Sequence, residues 1–188
     1  MALTQLDAVA ALVVIDLQKG IVAFPTAHPS SEIIKRSAQL AQAFRDRGMP
    51  VILVNVTGRA PGRIQSGFPR RELPPDWADL VPELGPQPTD YLVTRQRIGA
   101  FIGTSLDDTL RKLEVTQIFL AGIATSIGIE STGRCAYDFG YNVVYVVDAM
   151  TDMNPDAHRY SIENIFPRMG ETDVTENVLK MLVQPCVL

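Results

Sequence analysis

Asp16 is the residue whose placement first suggests chemistry. It follows Ala11-Leu-Val-Val-Ile15 without a break, and a carboxylate at the end of five apolar residues must be paired, hydrogen-bonded or protonated once it is buried. Its natural partner is Arg95, which closes the run Tyr91-Leu-Val-Thr94. A third feature is the glycine-bearing turn Gly122-Ile-Ala-Thr-Ser-Ile-Gly128. A turn of this kind at a helix N-terminus can present unsatisfied N–H groups to an oxyanion or a carboxylate. An acid or base, a fixed cation and an anion cradle together describe acid–base chemistry on a small, polarised molecule. Asn55, Thr57 and Asp148 stand at the ends of other apolar runs and could border the same place.

These residues need a scaffold, and the apolar runs supply one. Ala10–Ile15, Val51–Val56, Tyr91–Thr94, Gln117–Ala121 and Asn142–Val147 are short and rich in β-branched side chains, as are strands buried on both faces of a parallel sheet. Between them lie segments with helical spacing. One runs from Ser31 to Arg47, with Ser30 or Ser31 as N-cap and Gly48 as stop. A second runs through Leu113 after Thr104 or Ser105, and a third from Thr125 to Phe139 before Gly140. Helices over Asp156–Phe166 and Val174–Val183 complete the chain, with 184–188 as a tail. Alternating strands and helices predict a three-layer α/β fold: a mostly parallel, twisted sheet of about six strands with helices on both faces. Ligands in such folds bind beyond the carboxyl ends of the strands, where strand order reverses. Asp16, Arg95 and the 122–128 turn are all expected there.

Composition limits the alternatives. The 188 residues, 46% of them apolar, suit a single domain over 1–188. Seventeen basic against 21 acidic side chains give a net charge of −4, without the basic footprint of a nucleic-acid binder. Two cysteines, Cys135 and Cys186, make no disulfide framework or zinc spacing, and a reducing, cytoplasmic setting is expected. The run ending at Asp16 is too short to span a membrane. The long segment Thr57–Pro75 carries Arg59, Arg63, Arg70 and Arg71. These could clamp a substrate carboxylate or simply form a solvated face. His28 and His158 are expected at the surface.

Three blocks resemble one family: Leu12-Val-Val-Ile-Asp-Leu-Gln18, the segment Thr94-Arg-Gln-Arg-Ile-Gly-Ala-Phe-Ile-Gly-Thr-Ser-Leu106, and Ala121 to Thr132 followed by Ala136-Tyr-Asp-Phe-Gly-Tyr141. In order and spacing they are similar to the isochorismatase-like hydrolases, a superfamily of cysteine amidohydrolases and true isochorismatases. The resemblance implies the corresponding Rossmann-like fold, a small-molecule substrate, a homo-oligomer (dimer or tetramer), and a non-proline cis peptide near Ile123-Ala124. In the cysteine enzymes an aspartate, a lysine and a cysteine form the triad. Here Asp16 is present, but Arg95 takes the lysine position and Gly128 the nucleophile position. Cys135 lies seven residues further along a helix, about 10 Å away, and is expected to be buried and inert. Ser126 and Thr125 have no histidine near them in sequence. Relatives bearing this glycine cleave a vinyl ether without a covalent intermediate, with the aspartate as general acid. Nicotinamidases hold a metal through histidines near the second strand, whereas Asn55-Val-Thr-Gly58 offers none, so neither metal nor cofactor is expected.

The resulting expectation is a hydrolase acting on a small, carboxylated metabolite, with Asp16, Arg95 and Gly128 at its catalytic centre. Gln18, Phe24, Arg97, Phe101, Ile123, Ala124, Thr125 and Ile127 are expected to bind substrate. Two alternatives stand beside it. One is a catalytically silent small-molecule-binding homologue that has lost both cysteine and lysine; the other is an amidase with relocated cysteine chemistry. Arg95 complicates the first reading, because a permanent cation beside Asp16 favours the ionised carboxylate, and burial opposes it.

Overall fold

In the computed structural model, which describes residues 3–65 and 73–183, six strands form one sheet in which every pairing is parallel. They are β1 (Ala10–Ile15), β2 (Val51–Val56), β3 (Tyr91–Arg95), β4 (Gln117–Ile123), β5 (Asn142–Thr151) and β6 (Glu171–Asp173), in the order β3-β2-β1-β4-β5-β6. The helices are α1 (Lys19–Val22), α2 (Ser30–Asp46), α3 (Leu106–Lys112), α4 (Glu130–Asp138), α5 (Pro155–Tyr160) and α6 (Thr175–Val183).

Strand periodicity divides the apolar residues between two cores. Leu12 and Val14 of β1 pack with Leu53, Phe119 and Val144 beneath Ile33, Leu40 and Phe44 of α2 and Val178 and Leu182 of α6. Ala11, Val13 and Ile15 point the other way, joining Ile52, Val54, Ile118 and Leu120 against Leu106 and Leu110 of α3 and Ala136 of α4. Successive side chains of a strand face opposite sides, so a strand covered on both sides must be apolar throughout. All six residues of β1 are buried.

The chain steps outward from β1 to β3 and then returns to lay β4 on the other side of β1. The reversal therefore falls between β1 and β4, whose carboxyl ends pair Ile15 with Gly122. Gly122 has φ +116°, and a Cβ there would lie 2.0 Å from the Ile15 carbonyl oxygen. Only glycine allows the two strand ends to approach this closely.

Several boundaries differ from those expected. α2 begins at Ser30 after Pro29, with no side-chain cap, and the Ser30 hydroxyl instead donates to the Val22 carbonyl at 3.2 Å. The 125–139 segment opens as a π-helical turn, Thr125–Ile129, before α4. The 155–168 region passes from α5 through π and 3-10 turns. β5 runs four residues past Val147 because its register with β4 shifts between Leu120 and Gly122. Asp148 lies in that irregular stretch rather than at the strand end, and its carboxylate accepts hydrogen bonds from the Thr175 N–H and hydroxyl at the start of α6. The true end of β5 is Thr151, followed by Asp152. Arg70, Arg71, Cys186 and the expected 184–188 tail lie outside the described residues.

Candidate active site

Asp16 leaves β1 with φ +52°, a left-handed conformation that aspartate tolerates better than most side chains. Its N–H donates to the Val54 carbonyl at 2.9 Å. Arg95, at the end of β3, reaches past β2, and its guanidinium meets the Asp16 carboxylate fork to fork. Nε donates to Oδ1 at 3.2 Å and Nη2 to Oδ2, while Nη1 donates to the Arg97 carbonyl. The two side chains are 3% and 8% exposed, so the pair is sealed from bulk water. Burial pushes the Asp16 carboxyl up from 3.8 to about 6, against the opposing charge and hydrogen bonds of Arg95. The ion pair does not abolish the proton affinity of Asp16, because desolvation of the carboxylate is the larger effect.

Gly128 completes the group. An ideal Cβ at this residue would lie 3.3 Å from Arg95 Nη2, 3.1 Å from Ile15 Cγ2 and 3.7 Å from the Ile123 carbonyl oxygen. A side chain at 128 would therefore point at the guanidinium that holds Asp16. The Ile123-Ala124 peptide between β4 and this turn is cis.

The remaining expected site residues are distributed differently. Arg97 is exposed beside the pair and contributes its carbonyl to Arg95. Ile123 and Ala124 are buried at the end of β4, and Ile127 is 47% exposed next to Gly128. Phe24 is half-buried in the turn after α1, its N–H on the Ile21 carbonyl. Gln18 is fully buried, and backbone groups occupy its amide. Nε2 donates to the Val56 and Trp77 carbonyls at 3.1 Å each, and Oε1 accepts the Val56 N–H at 2.8 Å. It straps the end of β1 to that of β2. Phe101 belongs to the core, its ring against Phe139 and Tyr141. Gln18 and Phe101, both expected to touch substrate, thus also serve the fold, one through its amide on backbone groups and the other through its ring in the core.

The anion cradle is also partly filled from within. The Ser126 N–H and hydroxyl both donate to Asp152 Oδ2 at 2.8 Å, and the Ile127 N–H reaches the Ala124 carbonyl at 3.2 Å. Thr125 is fully buried, with its hydroxyl 2.8 Å from His158 Nδ1. His158 is thus buried rather than at the surface, and a histidine does stand beside Thr125, 33 residues away in sequence. Burial holds its imidazole below the usual histidine value and the neighbouring His28 adds to this, with Asp152 opposing. Sequence reading missed both Asp152 and His158. The signal available was Asp152 just before Asn154-Pro155, a strand-end carboxylate followed by a helix start. Cys135 is half-buried rather than buried, and burial raises its thiol pKa further above neutrality, as does Asp138. Arg59 and Arg63 are exposed. Among the described residues no three His, Cys, Asp or Glu side chains gather at a metal-sized site, and no helix is long and apolar enough to cross a membrane.

A parallel sheet of this order, with a buried acid–arginine pair at its switch point and a glycine-bearing turn above it, defines an isochorismatase-like α/β protein. Residues 10–176 match the isochorismatase domain, and the chain belongs to the isochorismatase family. It is 40% identical over 179 residues to the uncharacterized isochorismatase family protein YwoC of Bacillus subtilis (strain 168), covering 92% of this chain and 93% of that one. The structure of an isochorismatase family protein from Burkholderia thailandensis superimposes with a TM-score of 0.92 at 39% identity, over 95% of this chain and 98% of that one. The ureidoacrylate amidohydrolase RutB of Stutzerimonas stutzeri (strain A1501) is 37% identical over 98 residues, 50% of this chain and 40% of that protein.

Proposed function

We propose that the chain is a hydrolase that cleaves a small, carboxylated enol ether without a covalent intermediate, with Asp16 as general acid and base. The observation that carries this reading is a buried carboxyl forked onto Arg95, whose proton burial favours, beside a residue, Gly128, that has no side chain to act as nucleophile. Burial favours a proton on this carboxyl, as a general acid needs. Asp16 protonates the terminal enol carbon, and the resulting oxocarbenium ion takes up water. The water's proton returns to Asp16, and the hemiketal collapses to an alcohol and a keto acid. Arg95 is the anchor for the substrate carboxylate. As that carboxylate takes over the guanidinium fork, Asp16 loses the interactions that lower its pKa and keeps the burial that raises it. Arg97 adds a second cation at the exposed side.

Amide cleavage by covalent catalysis, in the manner of the family's cysteine enzymes, would need a nucleophile at Gly128, where the resemblance puts the glycine of non-covalent relatives in place of cysteine. Similarity to the ureidoacrylate amidohydrolases therefore supports hydrolysis without supporting that route here. The proposal extends to a homo-oligomer, supported by exposed Tyr91 and Leu92 on the edge strand β3; a monomer in light scattering refutes that part. Free Cys135 is consistent with the cytoplasm.

The test is pyruvate release from isochorismate and related enolpyruvyl ethers, wild type beside Asp16→Asn. Release that disappears in the variant supports the mechanism, and release that persists refutes the role of Asp16. If neither protein releases pyruvate while carboxylated metabolites raise the melting temperature, the silent binding protein is the better reading.

A further inference from the structure

Apart from the Asp16–Arg95 pair, the structure contains a second buried cluster of titratable groups and hydroxyls. Three separate segments bring it together: residues 26–29 before α2, the end of β5, and α5. Asp152, 3% exposed, accepts the Ser126 N–H and hydroxyl on Oδ2 and the Asn154 N–H on Oδ1 at 3.0 Å, and its carbonyl accepts the Ala27 N–H at 2.8 Å. His158 Nδ1 meets the Thr125 hydroxyl. The His28 ring lies 4.8 Å from the His158 ring, centroid to centroid, and both the His28 N–H and its Nδ1 contact the Thr151 hydroxyl. None of these groups takes part in the proposed reaction, and two of them, Asp152 and His158, converge on Ser126 and Thr125.

We propose that Asp152 and His158 are positioning residues of the active site: through Ser126 and Thr125 they hold the π-helical turn that sets Gly128 against the Arg95 guanidinium. The inference rests on the site identified above, though not on the identity of the substrate. A π turn is an uncommon backbone form that persists where its surroundings determine it. Here a carboxylate fastens its second residue at both N–H and hydroxyl, and an imidazole fastens its first. Three residues on, the Cα of Gly128 faces Arg95 so closely that an added Cβ would stand 3.3 Å from Nη2. A small retreat of the turn would admit water beside Asp16 and relieve the burial that raises its carboxyl. The charged and titratable groups acting on His158 are His28, from the segment before α2, and Asp152, just after β5. Glu130 of α4 is engaged by the Ser161 hydroxyl at 2.7 Å.

The test reads Asp16 directly and needs no substrate. The protein is labelled with 13C at aspartate carboxyls, the Asp16 signal is assigned by its loss in Asp16→Asn, and its titration is followed in wild type, Thr125→Val, Asp152→Asn, His158→Ala and His158→Asn. The expected result is an Asp16 titration that moves from about 6 toward the ordinary carboxylate range in Thr125→Val, Asp152→Asn and His158→Ala. His158→Asn, whose amide can replace Nδ1, should restore it. Thr125→Val preserves side-chain shape and keeps the test available if His158→Ala does not fold. The chain has two histidines, so their ring signals are readily assigned, and Asp152→Asn should lower the His158 titration further. With a turned-over substrate, kcat should fall by about tenfold to a hundredfold while KM changes by less than about twofold, as small misplacements at a reacting centre do. An Asp16 titration that stays at the wild-type value in these variants, with only the melting temperature falling, would show a purely structural role and overturn the proposal. Because that readout is independent of turnover, it stands whether or not enol ethers prove to be substrates.

Discussion

Replacing Asp16 by asparagine should change how stability depends on pH, and the size of the change follows from the burial of the carboxyl. Asparagine also accepts the left-handed backbone of this position, so the substitution removes charge and proton without disturbing φ. In the wild type the folded carboxyl titrates near 6 and the unfolded one near 3.8. Between these values the folded state binds more protons than the unfolded state, so this residue's contribution to stability is fully present below about 3.8 and is lost as the pH rises toward 6 and above. Integrated over the usable interval from roughly pH 4.5 to 7, the loss is about 2 kcal/mol. Other carboxylates, among them Asp173, whose pKa is lowered by hydrogen bonds from Asn177, Val174 and Leu3, act in the opposite sense. The quantity to measure is therefore the difference between wild type and Asp16→Asn in urea unfolding free energy across that interval. Asparagine does not titrate, so the offset between the variant and the protonated wild type is constant across the interval. On top of it, the wild type should lose about 2 kcal/mol relative to the variant as the pH rises, which narrows its stability gap over the variant. A gap that stays constant or widens would mean that Arg95 outweighs burial and keeps Asp16 ionised throughout, and the general-acid role would lose its physical basis.

Gly128→Ala should fold, because its Cβ asks neighbours to give by only a few tenths of an ångström. Ile15 is fixed in the core, so the guanidinium is the group that yields; the Asp16 titration should move upward from about 6, and an unchanged titration would show that the two are not in contact. Gln18→Leu should cost on the order of 1–3 kcal/mol for each buried backbone group it orphans, above all the Val56 N–H. Activity per folded molecule should be retained, and a specific rise in KM with stability intact would return Gln18 to the substrate-binding set.

Fold and site differ in how far they could be read from the residues. The four inner strands were legible because both faces of each are covered, which forces unbroken apolar runs such as Ala10–Ile15 and Val51-Ile-Leu-Val54. β6 was not, since Glu171-Thr-Asp173 is three polar residues long and is defined by its pairing with Val144–Val146, a long-range fact with no local pattern. The end of β5 was misplaced because Asp148 reads as a strand terminus, when it sits in a register shift and caps α6. Asp16 and Arg95 were recognisable, as charges at the ends of apolar runs have few stable arrangements. Gln18 and Phe101 show what residue type and position leave out: the backbone groups on the Gln18 amide and the rings around Phe101 come together only in the fold. His158 could not have been paired with Thr125, because that contact exists only once α5 folds back over the turn.

The arrangement of Arg95 and Gly128 changes what their joint presence implies. If the two departures from an aspartate–lysine–cysteine pattern were independent losses, each would count separately toward decay into a silent binding protein. The geometry makes them dependent. Arg95 Nη2 lies 3.3 Å from where the Cβ of residue 128 would start, so any atom beyond that Cβ on the same line would enter the guanidinium. An arginine forked onto Asp16 in this pose leaves no room at 128 for a side chain that extends toward it beyond Cβ, and glycine at 128 leaves room that the broad guanidinium fills. The pair is thus one structural solution, in which the space of a nucleophile is given to a planar cation able to grip a carboxylate. On the proposed reading, such a site gives up covalent catalysis as a unit and keeps a buried acid that burial pushes up to about 6. That combination is better suited to protonating a substrate than to holding one inert.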